Sequence, residues 1–320
     1  MRIRHALFKA VSIIVMCLPL GALAQAWPPG RVMVIVPQSG GGPSDVVSRL
    51  IAPVLSQKWG QAVVVDNRPG GGTLIGGSVV AKSTPDGTTL LVNGNGSWTG
   101  RIFVKEPPFE ASELRPVQQL VWSPRVMVVN PSVPARTLKD FIAYAKAHPG
   151  ALRYGMQSAT SFELDYVVFM QKAGIDMAGV PYASVAPATL AALKNEVQFM
   201  FVVPGSVAAQ VAEGKLNALA MTSAQRFHTM PDVPTAKESG VDYEFTTSFG
   251  LWAPAKTPDA TVERIAADAR AAVAAPAVAG KLRDIGYEPS EMSTTQYVAQ
   301  MQSEVKGYVE AAARIGVKPQ

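Results

Sequence analysis

Apolar positions along the chain follow two alternating rhythms. Short runs rich in β-branched and aliphatic residues (Val32–Val36, Ala62–Val65, Thr89–Val92, Arg125–Val129, Phe199–Val203 and Leu216–Met221) predict buried strands. Between them, apolar residues recur three and four apart over Asp45–Lys58, Gly76–Ser83, Leu138–Ala147, Ala186–Lys194, Thr261–Ala274 and Thr295–Ile315, the period of a helix with one buried face. Strands interleaved with helices predict an α/β fold with largely parallel sheets. Ser248–Trp252 predicts a further, returning strand. The Pro-rich and polar exits MVVNPSVP (Met127–Pro134) and TSAQRFHTMPDV (Thr222–Val233) divide the pattern into two lobes. Residues 25–126 and 225–320 are expected to form lobe 1 and residues 127–224 lobe 2, with the C-terminal helices returning to the first.

The segment VMVIVPQSGGGPSDVVSRLIAPVL (Val32–Leu55) joins a strand, a glycine turn and a helix start. Glycines let a backbone approach a ligand closely, and the first amides of a helix point outward without intrahelical partners. Gln38, Ser39, Gly41, Gly42 and Ser44 are therefore candidate anion-binding residues, with Ser44 and Asp45 as the expected helix cap. Asp45 suits organising the loop better than touching an anion, since like charges repel. A second glycine run, Gly70-Gly71-Gly72, lacks the Lys-Ser/Thr of a P-loop and reads as a turn bordering the cleft.

Composition narrows the setting. Met1–Ala24 has a basic start (Arg2, Arg4, Lys9), a short apolar run over Val11–Leu20 and an Ala22-Leu23-Ala24 cleavage pattern, and is expected to be a secretory signal. The single cysteine, Cys17, falls inside it, so the mature chain is expected to have neither disulfide nor thiolate chemistry. Segment 1–24 also holds three basic residues and no acid, so the net charge of +5 falls to +2 in the mature chain. That balance, without any Lys/Arg-rich run, argues against nucleic-acid binding. His148 and His228 stand in no nucleophile or metal-ligand pattern, and no G-x-S-x-G occurs. The reading is of a non-enzyme without cofactor or metal.

Longer stretches carry a family resemblance. IVPQSGGGPSDVVSRLIAPVL (Ile35–Leu55), VVVDNRPGGGTLIGGSVVAKSTPDGTTLL (Val63–Leu91), VVNPSVPARTLKDFIAYAKAHPGALRYG (Val128–Gly155), VPYASVAPATLAAL (Val180–Leu193), GKLNALAMTSAQRFHTMPDVPTAKESG (Gly214–Gly240) and SFGLWAPAKTP (Ser248–Pro258) occur in order along the mature chain. Together they resemble the tripartite tricarboxylate transporter receptors, the TctC or Bug family of periplasmic solute-binding proteins. The resemblance implies a two-lobed periplasmic-binding-protein type II fold with a ligand cleft between the lobes. It also implies a small carboxylate held by amides, hydroxyls and waters, membrane transporter subunits as partners, and a monomeric receptor.

Departures from the family pattern mark further candidates. In the second-lobe loop after Tyr154-Gly155, relatives carry several glycines and a histidine; here Ser158, Thr160 and Ser161 remain as donors. After Tyr182, a candidate hydroxyl donor, Ala183-Ser184 stand where relatives often have a basic residue and glycine. Val202-Val203 replace an Asp-Asn pair, which makes Val202 a candidate apolar wall and favours a carboxylate with an apolar or aromatic body. Ser97 and Trp98 end the loop Asn93–Trp98; Ser97 is a candidate hydrogen-bonding group, and Trp98 is a candidate to stack on a flat ligand, with a buried structural tryptophan the alternative. Two alternatives stay open: a ligand-loaded receptor read by a sensor kinase, and an extracytoplasmic α/β hydrolase using Ser44 or Ser158.

Overall fold

The computed structural model describes residues 27–157, 162–182, 185–314 and 316. The expected signal segment lies outside them. The chain opens with β1 (Val32–Val36), α1 (Pro43–Trp59), β2 (Val63–Asn67), α2 (Leu74–Ala81), β3 (Thr89–Asn93), α3 (Gly96–Thr99) and the long β4 (Leu114–Pro124). It crosses at Arg125 into β5 (Val126–Val129), α4 (Leu138–Ala147), β6 (Arg153–Gln157), α5 (Phe162–Ala173), β7 (Ala178–Tyr182), α6 (Val185–Leu193), β8 (Phe199–Val202), α7 (Ala208–Ala212) and β9 (Asn217–Met221). It then returns through β10 (Thr246–Pro254), α8 (Asp259–Ala274), α9 (Pro276–Asp284), β11 (Glu288–Pro289) and α10 (Thr294–Arg314).

Two sheets result, ordered β11-β4-β10-β3-β1-β2 and β7-β6-β8-β5-β9. The expectation of largely parallel sheets needs correction. β1 pairs in parallel with β2 and β3, and β6 with β7 and β8, whereas β10, β11 and β5 pair antiparallel with their neighbours. A strand that leaves one sheet and returns from the other enters from the opposite end, so each crossing introduces antiparallel pairing.

Several elements depart from the pattern reading for local reasons. β4 contains Gln118, Gln119 and Ser123, which break its apolar run, yet all three are buried. The Gln118 amide donates to the Met292 carbonyl, the Gln119 amide donates to Gln300, and Ser290 and Arg270 donate to the two amide oxygens. Those bonds make burial tolerable. Helix α1 begins at Pro43, with Gly42 as an extended cap residue that makes no side-chain cap bond. Ser44 and Asp45 sit inside its first turn rather than capping it, because proline at the first helical position is preset for helix and sacrifices no amide bond.

Each sheet has its own core. Val34, Ile51, Leu55, Leu90, Leu251 and Ile265 centre the first. Phe141, Phe199, Phe169, Phe201 and Tyr243 form a chain of stacked and edge-on rings in the second. The pattern reading places the return to lobe 1 at residue 225. In the structure Phe227, Met230, Ala236, Val241 and Tyr243 all pack on the second sheet's clusters, and the chain re-enters the first sheet only at Thr246. Those apolar residues lie in turn-rich sequence without helical or strand period, which hides their burial.

The two crossings are bonded side by side. The Arg125 amide donates to Thr222 Oγ1 at 2.8 Å, and the Thr222 amide returns a bond to the Arg125 carbonyl at 2.9 Å. The Thr222 hydroxyl donates to the Phe245 carbonyl at 2.6 Å, and the Phe245 amide donates back to the Thr222 carbonyl at 2.7 Å. Helix α10 packs along β4 and reaches α5 of the second lobe, where Tyr308, Ala311 and Ala312 cluster with Leu164.

Candidate functional site

The turn after β1 closes on itself. The Gly41 amide donates to Asp45 Oδ2 at 2.9 Å, the Gly42 amide to the Ser39 carbonyl at 3.3 Å, and the Ser44 hydroxyl to Gln38 Oε1 at 2.6 Å. Ser44 is 0% exposed. Groups expected to cradle an anion are thus bonded internally in this conformation, because Gln38 and Asp45 supply acceptors within the loop. Gly41 holds φ +81°, a conformation that favours glycine. Burial opposes ionisation of Asp45, but bonds from Arg49 and the Gly41 amide outweigh it and hold the carboxyl below its ordinary range. The Ser44 hydroxyl, a candidate nucleophile in the hydrolase alternative, is buried and donates to Gln38, with no histidine bonded to it among the described residues.

The second glycine run forms a tight turn, Gly71–Thr73, running into α2. It abuts the exit of β3, where Asn93 Nδ2 donates to Thr73 Oγ1 at 3.2 Å. One turn on, Asn95 Nδ2 donates to Glu304 Oε2 at 2.9 Å and Gln300 Nε2 donates to Glu304 Oε1 at 2.7 Å. Burial nonetheless pushes the Glu304 carboxyl up to about 7. Ser97 and Trp98 lie on α3. The Trp98 ring packs edge-on against Trp252 with centroids 5.0 Å apart, so the indole belongs to the first lobe's packing; its N–H has no hydrogen-bond partner among the described residues.

In the second lobe a narrow cavity opens where β6 and β8, paired only at Tyr154 and Phe199, part company. Gly155 and Met156 of β6, Met200 and Phe201 of β8, and Val185 and Ala188 of α6 line it. Tyr166 from α5 spans the gap: its hydroxyl donates to the Gly155 carbonyl at 2.8 Å and accepts from the Phe201 amide at 2.9 Å. Arg125 completes the lining. Its side chain donates through Nε to Thr247 Oγ1 at 3.1 Å, and its guanidinium carbon lies 5.6 Å from the Phe245 ring centroid. Next to Tyr166 on α5, Asp165 accepts a 2.6 Å bond from the Tyr308 hydroxyl. Burial pushes the Asp165 carboxyl up to about 7, against the opposing pull of Arg125 and Tyr308.

The candidate residues are therefore distributed unevenly. Gln38, Ser39, Gly41, Gly42, Ser44 and Asp45 form one turn at the first lobe's strand ends. Ser158, Thr160 and Ser161 lie outside the described residues. Tyr182 ends β7, half-buried against the second lobe's core. Val202 is 1% exposed and pairs with Val126, so it packs in the core, and the apolar wall at the cavity comes from Met200 and Phe201 of the same strand. The pattern reading missed Arg125, Tyr166, Asp165 and Glu304. One signal was present for Arg125: a cation opening an otherwise apolar strand directly after a proline.

Among the described residues no cluster of His, Cys, Asp and Glu could hold a metal ion, and no helix is long and apolar enough to cross a membrane. Two α/β lobes joined by paired crossings define a two-lobed binding protein. Residues 47–316 match the model of the tripartite tricarboxylate transporter family receptor, and the chain belongs to that family. It is 33% identical to Protein BugT of Bordetella pertussis over 240 residues, 73% of either chain. Among solved structures it is similar to Rpa4515 of R. palustris with adipate, at 30% identity and TM-score 0.76 over 92% of this chain and 100% of that one. It is also similar to MatC of Rhodopseudomonas palustris with bound malate, at 25% identity and TM-score 0.72 over 89% and 99%.

Proposed function

We propose that this receptor works in the periplasm, closes its two lobes over a small organic carboxylate and passes it to the membrane subunits of a tripartite tricarboxylate-type transporter. The observation that carries the reading is the pair of hydrogen-bonded crossings at Arg125 and Thr222–Phe245. The first crossing is one residue long and the second is bonded to it at Thr222 and Phe245, so a change of backbone angle there falls on a few residues, the requirement for hinge closure. Ligand binding then shifts an open–closed equilibrium. Carboxylate as the ligand class is supported by the related structures, which hold adipate and malate. In this reading the first turn is the anion cradle, and a carboxylate binds there by replacing the Gln38–Ser44 bond.

A thermal-shift screen of the chain from residue 25 onward tests this. Adipate, malate, citrate, benzoate, hexanoate and aspartate form the panel. A true ligand at one hundred times its Kd adds about 2.7 kcal/mol of apparent stability. At least one carboxylate is expected to raise Tm by several degrees; a flat response to all six counts against the reading.

A further inference from the structure

We propose that Glu304 of α10 is a positioning residue for the ligand cleft, holding the loop after β3 (Asn93–Thr99) in its binding shape through Asn95. The inference rests on the receptor reading above and adds to it a residue that acts through another.

β1 and β3 run parallel, and β10 runs antiparallel to both β3 and β4, so β1, β3 and β4 all point the same way. β4 leaves for the second lobe at Pro124, so the turn after β1 and the loop after β3 lie at the end of the sheet that faces that lobe. Open α/β sheets take ligands at this end of their parallel strands. The start of the loop is pinned at Asn93, whose carbonyl accepts from Trp252 Nε1 at 3.1 Å. Its helical turn hangs on Asn95, whose carbonyl accepts from the amides of Trp98 and Thr99 and from the Thr99 hydroxyl. Asn95 stands at the cap position of α3 yet makes no side-chain cap bond. An asparagine there ordinarily accepts from its own helix. This one donates Nδ2 to Glu304, 209 residues away.

A backbone group sets the direction of the hydrogen bonds that reach Glu304. The Met292 amide donates to Ser290 Oγ at 3.2 Å, so the hydroxyl proton goes onward to Gln119 Oε1 at 2.6 Å. Gln119 Nε2 then donates to Gln300 Oε1 at 3.0 Å, and Gln300 Nε2 to Glu304 Oε1 at 2.7 Å. Reversing either glutamine would set donor against donor or acceptor against acceptor, so Glu304 Oε1 is held as an acceptor. A proton on Glu304 has its place on Oε2, where it meets the Asn95 N–H. Asn95 must then turn its amide over or let go, and the disturbance falls on the loop. A carboxylate accepts both bonds and keeps the loop as it stands. Burial opposes that charge and, against the two bonds, lifts the carboxyl to about 7, so the loop is poised between the two forms near neutral pH. The titratable groups around it are Tyr297 and Tyr308 on α10 and Asp165 on α5; β4 faces the network with Gln119 and the loop faces it with Asn95.

Hydrogen exchange read by mass spectrometry on the ligand-free chain from residue 25 onward, and calorimetry with malate and adipate, test this at pH 6 and 8. Comparing proteins at one pH cancels the intrinsic change in exchange rate. Glu304→Gln keeps the acceptor for Gln300 and fixes the neutral form. At pH 8 its amides at 94–99 are expected to exchange about tenfold faster than in the wild type, the value of one hydrogen bond to a charged group, and its affinity for the acid that the wild type binds should fall by a similar factor. At pH 6 the two proteins should nearly coincide. Asn95→Ala breaks the same contact from the loop side and should match Glu304→Gln at pH 8. A merely structural role predicts lost stability along with lost affinity, whereas Glu304→Gln is expected to melt at least as high as the wild type at pH 8. Equal loop exchange in the wild type and Glu304→Gln at pH 8 overturns the proposal. So does a pH response of the loop that persists in Glu304→Gln and disappears in Asp165→Asn. No binding of either acid by the wild type, with the exchange difference intact, counts against the receptor reading and not against the hold of Glu304 on the loop.

Discussion

Asp165 and Glu304 are buried carboxyls whose ionisation is displaced well away from the ordinary range. Burial lifts each carboxyl to about 7. Unfolded, both ionise near the usual carboxylate values of about 4. The folded state therefore holds these protons more tightly. The stability they contribute is complete below about pH 4 and is lost as pH rises toward 7, each carboxyl giving up about 1.4 kcal/mol for every tenfold fall in proton concentration. Melting followed by circular dichroism should show Tm falling by several degrees from pH 5 to 8. Asp165→Asn keeps an acceptor for Tyr308 and should flatten that slope; an unchanged slope in Asp165→Asn and Glu304→Gln would place the pH dependence elsewhere. At this scale, legibility depends on sequence distance. The role of Asp45 as loop organiser follows from four-residue spacing to Gly41 and Arg49. Arg125 was opaque because its meaning comes from Thr222 and Thr247, about a hundred residues away.

Elements with a clean period were legible and those with polar interruptions were not. β1, β3 and α4 match their apolar patterns within a residue or two. β4 did not, because its buried glutamines are satisfied by partners on α8, α10 and the approach to α10 that no local pattern announces. β10 carries a testable constraint. Gly250 sits at a register shift between β3 and β4, opposite Asn93 and Gln119. A Cβ there would fall on the Tyr297 hydroxyl and come within 2.7 Å of the Gln118 carbonyl. Gly250→Ala is expected to destabilise by about 2 kcal/mol or more, since packed backbone cannot yield as a flexible side chain can. Urea denaturation measures it, and a change under about 0.5 kcal/mol would mean that the α10–β10 packing is loose.

For the whole molecule, the coupling between lobes runs through Thr222 and Tyr308. Thr222→Val deletes the acceptor for the buried Arg125 amide and the donor to the half-buried Phe245 carbonyl, leaving both unpaired. A loss of about 2–4 kcal/mol is expected, together with a wider opening visible as a larger radius of gyration in small-angle scattering. Unchanged stability and radius would show that the crossings are not the hinge. The two-lobed plan itself was readable in the alternation of elements and the polar exits, whereas the return point was not, since residues 227–243 are buried without any periodic signature.

The sheet order has a further consequence for how the chain is made. β10 lies between β3 and β4, although some 120 residues separate it from the end of β4 in sequence. Until that late strand emerges, the nascent first lobe carries two raw edges with unpaired amides and carbonyls, templates for pairing with other chains. The second lobe has all five strands by residue 221 and is topologically complete first. The inserted half is therefore expected to close its sheet before the half that frames it. A chain stopped near residue 245 would join a five-stranded second sheet to an unclosed first one, and light scattering is expected to show it aggregating more readily than the full chain.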